Sequence, residues 1–162
     1  EFVPTIPIAH GGSGTAYRAE VTNQQASPLG NEYFAAMDPG GRDTFVWMQN
    51  GEPISLFCAD ESDGESLRAC EQVTEALYSY EINGTAVQPA LAESCTPNDD
   101  LTVWTCVLRQ GVTFHDGSTF DAADVVATFN MGLNTASETH TGNTNAWTYY
   151  DYLWGLMKKP GK

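Results

Sequence analysis

The sequence predicts an α/β lobe in which a mixed β-sheet is flanked by two or three helices, and three stretches lead to this prediction. "DTFVWMQ", residues 43–49, is an almost continuous apolar run, typical of a central strand buried on both faces of a sheet. Residues 65–78 place Leu67, Cys70, Thr74 and Leu77 at three- and four-residue steps, which predicts a helix with one buried face. "DAADVVATF", residues 121–129, begins another helix.

The region before the central strand predicts an edge strand followed by turns. Residues 2–9 alternate prolines with β-branched residues, and proline cannot donate to the interior of a sheet. "GGSG" predicts a loop, and residues 17–21 suit a brief strand pairing. "DPGG", residues 38–41, predicts a hinge or linker.

Two hairpins are predicted between the helices. Asn83-Gly84 favours a tight turn, because glycine adopts positive φ freely, so "YSYEI" and "TAVQPAL" are expected to pair. "LTVWTCVLRQGVTFHDG", residues 101–117, predicts two strands joined at residues 109–111. Residues 145–159, "NAWTYYDYLWGLMKK", suit either a short helix or coil.

The adjacent residues His115 and Asp116 resemble a catalytic pair, but the surrounding residues favour a structural role. Asp121 and Asp124 suit the cap and first turn of a helix, and Asp116-Gly117 is a turn dipeptide. No nucleophile elbow precedes this stretch, and the other histidines have no ligand-like spacing to it. The sequence therefore predicts no catalytic residue and no metal site.

The charge of the chain excludes two classes of partner. With 21 acidic against 7 basic residues, the formal charge of −14 disfavours nucleic acid and anionic membrane surfaces. The apolar runs are far shorter than the roughly 18 residues that span a bilayer. We expect any export signal to lie outside this stretch of sequence.

Four cysteines form two local pairs, Cys58 with Cys70 and Cys95 with Cys106. Neither pair has C-x-x-C spacing or the flanking histidines of a zinc site. We predict two disulfides, which persist outside a reducing cytosol, and four reduced thiols are the alternative. Cys106 lies on the first strand of the predicted 101–117 hairpin, and Cys95 is expected to tie the entry of that hairpin to it.

Several motifs occur in the order found in one family. "PALAESCTPNDDLTVWTCVLRQGVTFHDGSTFDAADVVATF", residues 89–129, contains Pro-Ala-Leu-Ala, then Leu-Arg-x-Gly-Val, then Phe-His-Asp-Gly and an Asp-Val helix. Residues 43–92 add a first strand, a Glu-Pro-x-x-Leu turn and a helix. The chain thus resembles the extracytoplasmic solute-binding proteins of peptide-type ABC importers (family 5), which include dipeptide-, oligopeptide- and nickel-binding members.

The order of the segments differs from that of the family. Residues 1–37 resemble the family's carboxy-terminal end, residues 38–42 form a linker or permutation junction, and residues 43–162 resemble the amino-terminal lobe. Chain ends that lie close together make such a permutation tolerable. We interpret all three segments as one lobe, the permuted carboxy-terminal portion of a larger protein, with apolar surface exposed where the remainder packs.

The resemblance implies a two-lobe, periplasmic-binding-protein-like fold that closes around a ligand, without enzymatic activity and without a cofactor. It implies capture of a small solute, with peptide the first choice, for delivery to an ABC permease. The remaining polypeptide would supply the second lobe. The expected location is the periplasm or the bacterial cell surface, and lipid anchoring through a part outside this chain is left open.

The resemblance also places the loop "QNGEPISL" beside the cleft, where backbone groups can pair with an extended ligand. The candidate ligand-binding residues are Asn50, Gly51, Glu52, Pro53, Trp147 and Tyr149. Glu52 suits either an amino terminus or a solvated turn, and the aromatic residues suit either a pocket wall or core. Two alternative functions are a scaffold or surface-assembly module and a secreted hydrolase lobe using His115 with Asp116 or Glu52.

Overall fold

Helices and antiparallel strand pairs make up the regular structure of the described residues. The structure is a computed structural model, and it describes residues 6, 8, 9, 11, 12, 14–30 and 32–157. The predicted edge strand at residues 2–9 lies largely outside them. Among the described residues both sheets are two-stranded and antiparallel, so the α/β class agrees with the structure but the single mixed sheet does not.

Helix α1, Gly64–Glu71, begins at a polar cap. The Asp63 carboxylate accepts from Ser66 N and from Ser66 Oγ, both at 2.9 Å. The prediction that this helix continues to residue 78 is wrong. Thr74 donates both its backbone N–H and its hydroxyl to the Cys70 carbonyl, at 2.9 Å and 2.8 Å, and this closes the last turn.

The predicted hairpin around Asn83-Gly84 is confirmed. Strands β1, Tyr78–Tyr80, and β2, Val87–Pro89, pair antiparallel with Ser79 opposite Gln88. Asn83 has a φ of 61°, and Glu81 N donates to Ala86 O at 2.9 Å across the turn. The asparagine also contacts the amino-terminal region, because its Oδ1 accepts from Ala26 N at 2.9 Å.

The second hairpin differs from the prediction of two strands joined at residues 109–111. Strand β4, Trp104–Leu108, pairs with the preceding strand β3, Ala92–Pro97, and not with the residues that follow it. Arg109 extends the contact between these strands, since its N–H donates to Leu91 O and its Nε donates to Ala90 O, both at 2.9 Å. Beyond Arg109 only an isolated bridge joins Thr113 to Thr119.

Both predicted disulfides are present. Cys58 is bonded to Cys70, so the short 3₁₀ turn Cys58–Asp60 is tied to α1. Cys95 is bonded to Cys106 directly across the β3–β4 pair. The second bond therefore links two paired strands, whereas the sequence placed Cys95 at the entry to a hairpin.

The "FHDG" stretch forms a turn that leads into helix α2, Ala122–Leu133. Asp116 Oδ1 accepts from Ser118 N at 2.9 Å and from its hydroxyl at 2.7 Å, while His115 is exposed. Asp121 and Asp124 form a reciprocal capping box at the start of α2. The expectation that these acids are helix-start devices is confirmed.

Residues 43–49 do not form the predicted central strand. The segment is extended, but its backbone has no ladder partner among the described residues. Phe45, Trp47 and Gln49 are half-buried, whereas Val46 is 83% exposed and Met48 is 91% exposed. A continuous apolar run predicts burial on both faces, and the described residues cover one face only.

The amino-terminal region packs against the rest of the described chain. Thr22 and Asp38 exchange backbone hydrogen bonds of 3.1 Å and 3.0 Å, just beyond the brief pairing predicted for residues 17–21. Arg68 Nε contacts Glu32 Oε2 at 3.2 Å, and Phe34 N donates to Gln72 Oε1 at 2.9 Å. Residues on both sides of the "DPGG" stretch therefore share contacts.

Helix α3, Thr148–Trp154, packs on α2 through edge-to-face contacts between Phe129 and the rings of Tyr150 and Trp154. Of the two predictions for residues 145–159, a short helix or coil, the helix is confirmed for Thr148–Trp154. None of the helices in the described part of the chain is long and apolar enough to cross a membrane.

The buried apolar core is small and many large apolar side chains stay exposed. The buried apolar residues are Val21, Met37, Cys70, Ala92, Leu133 and Trp147. Ile54 is 73% exposed and Leu56 is 72% exposed, and Val46 and Met48 are also exposed. The exposed apolar surface predicted from the sequence is present in the structure.

Candidate functional site

A candidate site is a groove of about 650 Å³ between the extended segment 46–52 and helix α1. This volume is within the range of sites that bind small molecules. The residues lining the groove are Phe34, Val46, Trp47, Met48, Gln49, Asn50, Gly51, Glu52, Arg68 and Ala69.

Hydrogen bonds at both ends hold the groove loop, residues 50–53, against α1. On one side Gln49 Nε2 donates to Glu65 O at 3.4 Å. On the other side the Ser66 hydroxyl, which is fully buried, accepts from Ile54 N at 2.8 Å and from Ser55 N at 3.3 Å. Ser66 is itself placed by the helix cap at Asp63, so the start of α1 positions the loop.

An aromatic cluster forms the floor of the groove. The ring of Trp47 lies 4.9 Å from that of Phe34 and 5.9 Å from that of Tyr17, and Phe45 lies 5.5 Å from Phe34. The indole Nε1 of Trp47 is buried and has no hydrogen-bond partner among the described residues. Burial in this cluster is the largest influence on Tyr17, and it raises the pKa of that phenol.

Among the described residues, Arg68 is the one basic side chain that lines the groove, and its charge is already compensated. Its Nε contacts Glu32 Oε2 at 3.2 Å, its Nη2 donates to Gly30 O at 3.0 Å, and its guanidinium lies 5.7 Å from the Trp47 ring. Glu32 is 5% exposed, so this ion pair is largely shielded from solvent.

Glu52 carries the other formal charge in the groove lining. It is exposed and makes no hydrogen bond or ion pair with another described residue. Since the Arg68 charge is paired with Glu32, the uncompensated charge at the groove is negative.

The structure separates the six predicted ligand-binding residues. Asn50, Gly51 and Glu52 line the groove together, and Pro53 is half-buried beside it without lining it. Trp147, by contrast, lines a second cavity of about 160 Å³, and Tyr149 lies on α3, 44% exposed, lining neither.

Trp147 is a buried packing residue, 3% exposed. Its ring stacks on His140 at 4.7 Å and meets Tyr150 at 5.7 Å and Phe57 at 6.1 Å. The core alternative weighed for this tryptophan therefore matches its surroundings. His140 itself is held by Nδ1, which lies 2.6 Å from Met131 O.

A buried carboxylate fixes the loop that leads to Trp147. Asp60, 3% exposed, accepts from the backbone N–H groups of Thr144, Asn145 and Trp147 at 2.8, 2.6 and 2.8 Å. Burial raises the pKa of Asp60, but these hydrogen bonds and one from the Thr144 hydroxyl outweigh burial and lower it overall. The arrangement is an internal anion site that the protein fills with its own side chain.

His115 and Asp116, the pair considered for a hydrolytic role, do not line the groove. His115 and Asp116 are exposed on a turn, and the hydrogen bonds of Asp116 go to Ser118. Within the described residues no three His, Cys, Asp or Glu side chains are grouped so as to hold a metal ion. The groove instead offers apolar walls, a compensated guanidinium and one free carboxylate, which suits reversible binding.

The residues predicted from the sequence include the groove loop, 50–52, but not most of the groove wall. Phe34, Trp47 and Arg68 come from three different regions of the chain, and no local pattern joins them. Residues 45–48 are all apolar, so the sequence held no signal for which side of this segment would form the groove wall.

Comparison with known proteins reveals related sequences. Residues 86–154 match the family described as bacterial extracellular solute-binding proteins, family 5 middle. The chain is 33% identical over 115 residues to the di/tripeptide-binding protein 1 of Pseudomonas aeruginosa, an alignment covering 67% of this chain and 21% of that protein.

Other relatives have different solutes in their names. The heme-binding protein A of Haemophilus influenzae is 32% identical over 114 residues, 66% of this chain and 21% of that protein. The nickel-binding periplasmic protein of Escherichia coli is 31% identical over 93 residues, 56% of this chain and 17% of that protein. The aligned part of the chain thus spans about a fifth of these relatives, and no solved structure matches significantly.

Proposed function

The chain is related in sequence to the peptide-type, family 5 solute-binding proteins, and from this premise we propose that it is part of the receptor of an ABC importer. In this role it captures a peptide or similar small solute outside the cytoplasm and delivers it to a membrane permease. The relatives are binding proteins by name, which supports a binding role without catalysis.

The single observation that carries the proposal is the groove beside α1. The loop 50–52, which the resemblance assigned to the cleft, lines a groove large enough for a short peptide. The unpaired backbone of the adjoining extended segment supplies donors and acceptors that an extended ligand can use. Asn50, Gly51 and Glu52 are the ligand-binding residues proposed here, with Pro53 shaping the loop.

Trp147 and Tyr149 are also proposed ligand contacts, but only in a closed, two-lobe form of the protein. Trp147 borders the small second cavity, and Tyr149 presents an exposed ring on α3. They belong to the proposed site if closure of a second lobe brings ligand against them.

A second lobe completes the proposed receptor in a two-lobe, periplasmic-binding-protein-like fold. The chain spans 21% of the length of its di/tripeptide-binding relative, and the outward face of Val46, Met48, Ile54 and Leu56 is apolar and exposed. Exposed large apolar side chains of this kind support a surface on which other polypeptide packs. The isolated chain is therefore half of a binding site.

The proposed order of segments is a permuted one, with residues 1–37 from the family's carboxy-terminal end, residues 38–42 as junction and residues 43–162 from its amino-terminal lobe. The bridge between Thr22 and Asp38 and the Arg68–Glu32 ion pair support the placement of these segments in one lobe. The two disulfides support an oxidising, extracytoplasmic location, either the periplasm or the cell surface.

An assembly role is the second candidate function, and the same exposed face favours it. If the chain is a scaffold or surface-assembly module, Val46, Met48, Ile54 and Leu56 contact another protein and not the remainder of a receptor. Peptide binding distinguishes the two functions.

The test is a titration of the ¹⁵N-labelled chain with short peptides, followed by NMR. Binding in the groove shifts the backbone resonances of residues 46–52 and the indole resonance of Trp47, which a Trp47→Phe spectrum identifies. The indole of Trp104, which lies on β4 and lines neither cavity, serves as an internal control. A parallel titration with glucose is the control for a different solute class. Resonance shifts with glucose but not with peptides, or no resonance shifts with either, would overturn the proposed function.

A further inference from the structure

The two disulfides differ in how far solvent reaches them. Cys106 is exposed on β4 and its partner Cys95 is half-buried on β3. Cys70, by contrast, is 4% exposed on α1, and its partner Cys58 is half-buried. A disulfide is opened by a thiolate that reaches one of its sulfur atoms, so access influences which bond exchanges. Of the four cysteines, Cys106 is thus the one most open to a thiol in solution.

The β3–β4 pair has other contacts that hold it together without this bond. Its register joins five residue pairs, of which the disulfide links one. At the turn, Asn98 N donates to Val103 O and Asn98 Oδ1 accepts from Val103 N, both at 2.9 Å. At the opposite end, Arg109 N donates to Leu91 O at 2.9 Å. The disulfide can therefore open and close again while the two strands stay paired.

The hairpin that carries this bond is acidic. Residues 92–109 contain three acidic side chains and one basic side chain, which gives them a formal charge of −2. The acids, Glu93, Asp99 and Asp100, are all exposed, and the base, Arg109, donates through Nε to Ala90 O at 2.9 Å. Exposed charges act over about one Debye length, roughly 10 Å at 0.1 M salt. A thiolate with a second negative charge is therefore repelled more than one that carries an ammonium group.

We propose that Cys95–Cys106 is a site of reversible thiol–disulfide exchange for small aminothiols, in which an ammonium group offsets the charge of the thiolate. The thiolate bonds to Sγ of Cys106 as the bond between the two Sγ atoms breaks, and Cys95 leaves as a thiolate that takes up a proton from water. When the deprotonated Cys95 attacks Cys106 Sγ in turn, it expels the small thiol and restores the disulfide. No separate oxidant or reductant is consumed in this cycle.

This exchange site goes beyond the proposed function. No residue of β3 or β4 lines the groove or the second cavity. Loss of peptide binding would therefore leave the exchange site standing, and loss of exchange would leave the groove standing.

The first test is incubation of the chain with cysteamine, timed quenching with acid and N-ethylmaleimide, and peptide mapping by mass spectrometry. We expect Cys95–Cys106 to open roughly ten times faster than Cys58–Cys70, because access differs. The cysteamine adduct should be on Cys106, with the maleimide on Cys95. The far-ultraviolet circular dichroism spectrum should stay that of the oxidised chain while this bond alone is open.

A double variant, Glu93→Gln with Asp99→Asn, tests the effect of charge. The thiolate of 3-mercaptopropionate carries two negative charges, so it should open the bond about three to ten times faster in the variant than in the original chain at low salt. Cysteamine, whose thiolate form is neutral overall, should open the bond at nearly the same rate in both chains. Comparing one thiol across two chains cancels differences in thiol pKa and nucleophilicity.

A matched control removes the same two residue types elsewhere. Asp43→Asn with Glu138→Gln changes two exposed acids outside the hairpin and should leave the rates of both thiols unchanged. Added salt should narrow the gain of 3-mercaptopropionate in the hairpin variant, because screening weakens exposed charge interactions.

Several outcomes would overturn the proposal. Equal opening of the two disulfides, or earlier opening of Cys58–Cys70, would show that exposure of Cys106 does not direct exchange. An adduct mainly on Cys95 would contradict the assigned point of attack. Loss of the circular dichroism spectrum together with the bond would make the disulfide a structural tie. An equal gain for both thiols in the hairpin variant would overturn the choice of aminothiols.

Discussion

Asp60 and Trp147 are 87 residues apart in sequence, and the Asp60 carboxylate accepts a hydrogen bond of 2.8 Å from the backbone N–H of Trp147. Trp147 has a φ of 47°, in the left-handed region that side-chain-bearing residues seldom occupy. The hydrogen bonds from Thr144, Asn145 and Trp147 hold this backbone in place. The carboxylate thereby connects the disulfide-bonded turn Cys58–Asp60 to the start of α3.

Asp60→Asn should lower the free energy of unfolding by about 1–3 kcal/mol, because buried backbone donors would lose a charged acceptor. Urea denaturation followed by circular dichroism measures the change. Asp99→Asn is the matched control, since Asp99 is exposed on the β3–β4 turn and has no hydrogen bond to another described side chain. An equal loss in both variants would contradict the role given to Asp60.

The contribution of Asp60 should depend on pH in a defined direction. Its folded-state pKa is lower than its ordinary value, because hydrogen bonds outweigh burial. The unfolded chain therefore takes up the proton first, and the stabilisation is present above the unfolded pKa and lost as the pH falls through the folded pKa. The gap in unfolding free energy between the original chain and Asp60→Asn should be largest near neutral pH and shrink below about pH 4.

Urea denaturation of both proteins over a pH series tests this dependence. Other carboxylates whose pKa is lowered, such as Asp63 and Asp116, are common to both proteins and cancel in the difference. A difference that stays constant from neutral to strongly acidic pH would show that the Asp60 charge does not act as described.

Two substitutions at Trp47 distinguish the contribution of its ring packing to stability from that of its indole N–H. Its Nε1 is buried without a partner among the described residues, and a phenyl ring would keep most of the contact with Phe34. Trp47→Phe should leave the free energy of unfolding within about 1 kcal/mol or raise it. Trp47→Ala should lower the free energy of unfolding by about 2 kcal/mol or more, because the substitution removes the ring that contacts Phe34 and Tyr17 in the aromatic cluster.

Chemical denaturation of the two Trp47 variants, side by side, provides the measurement. A loss in Trp47→Phe as large as that in Trp47→Ala would mean that the indole N–H has a partner and contributes through it.

The two disulfides should differ in their effect on stability. Each closes a short loop, with separations of 12 and 11 residues, and contributes about 3 kcal/mol in the chain-entropy model. Cys70 is 4% exposed and belongs to the buried core, whereas Cys106 is exposed on β4. Replacing Cys58 and Cys70 by serine should therefore destabilise the chain more than replacing Cys95 and Cys106.

Thermal unfolding of the two double variants compares them, and the intact mass under non-reducing conditions confirms which bonds are present. The original chain should be four hydrogens lighter than its reduced form, corresponding to the two bonds. Equal losses in the two double variants would show that core burial of Cys70 adds nothing to its disulfide.

Features that depend on neighbouring residues were predictable from the sequence. The Asp121–Asp124 capping box and the turn at Asn83 are local, since each is determined within a few residues. The cysteine pairs were also predictable, because both close short loops.

Features that depend on a partner far along the chain were not predictable from the sequence. The apolar run at residues 43–49 indicates that the segment can be buried, but it does not specify which strand pairs with it. Two local features were missed as well. Strand β4 pairs with β3, the strand just before it, where the sequence predicted pairing with the residues after it. Helix α1 ends early although Thr74, whose hydroxyl bonds to Cys70 O, has a spacing that still mimics a longer helix.

The same distinction applies to the site. The loop 50–52 was identified by family resemblance and lines the groove. Arg68 and its partner Glu32 are 36 residues apart, so the compensation of the groove's positive charge was visible only in the structure.

The central claim is that this chain holds half of a peptide-binding site. Isothermal titration calorimetry of the isolated chain of 162 residues with leucyl-leucine tests it most directly. We predict weak binding, with a dissociation constant near about 1 mM, because a ligand between two lobes would here be contacted by one. A dissociation constant below about 1 μM would contradict the claim, since it would show that this chain alone forms the complete site.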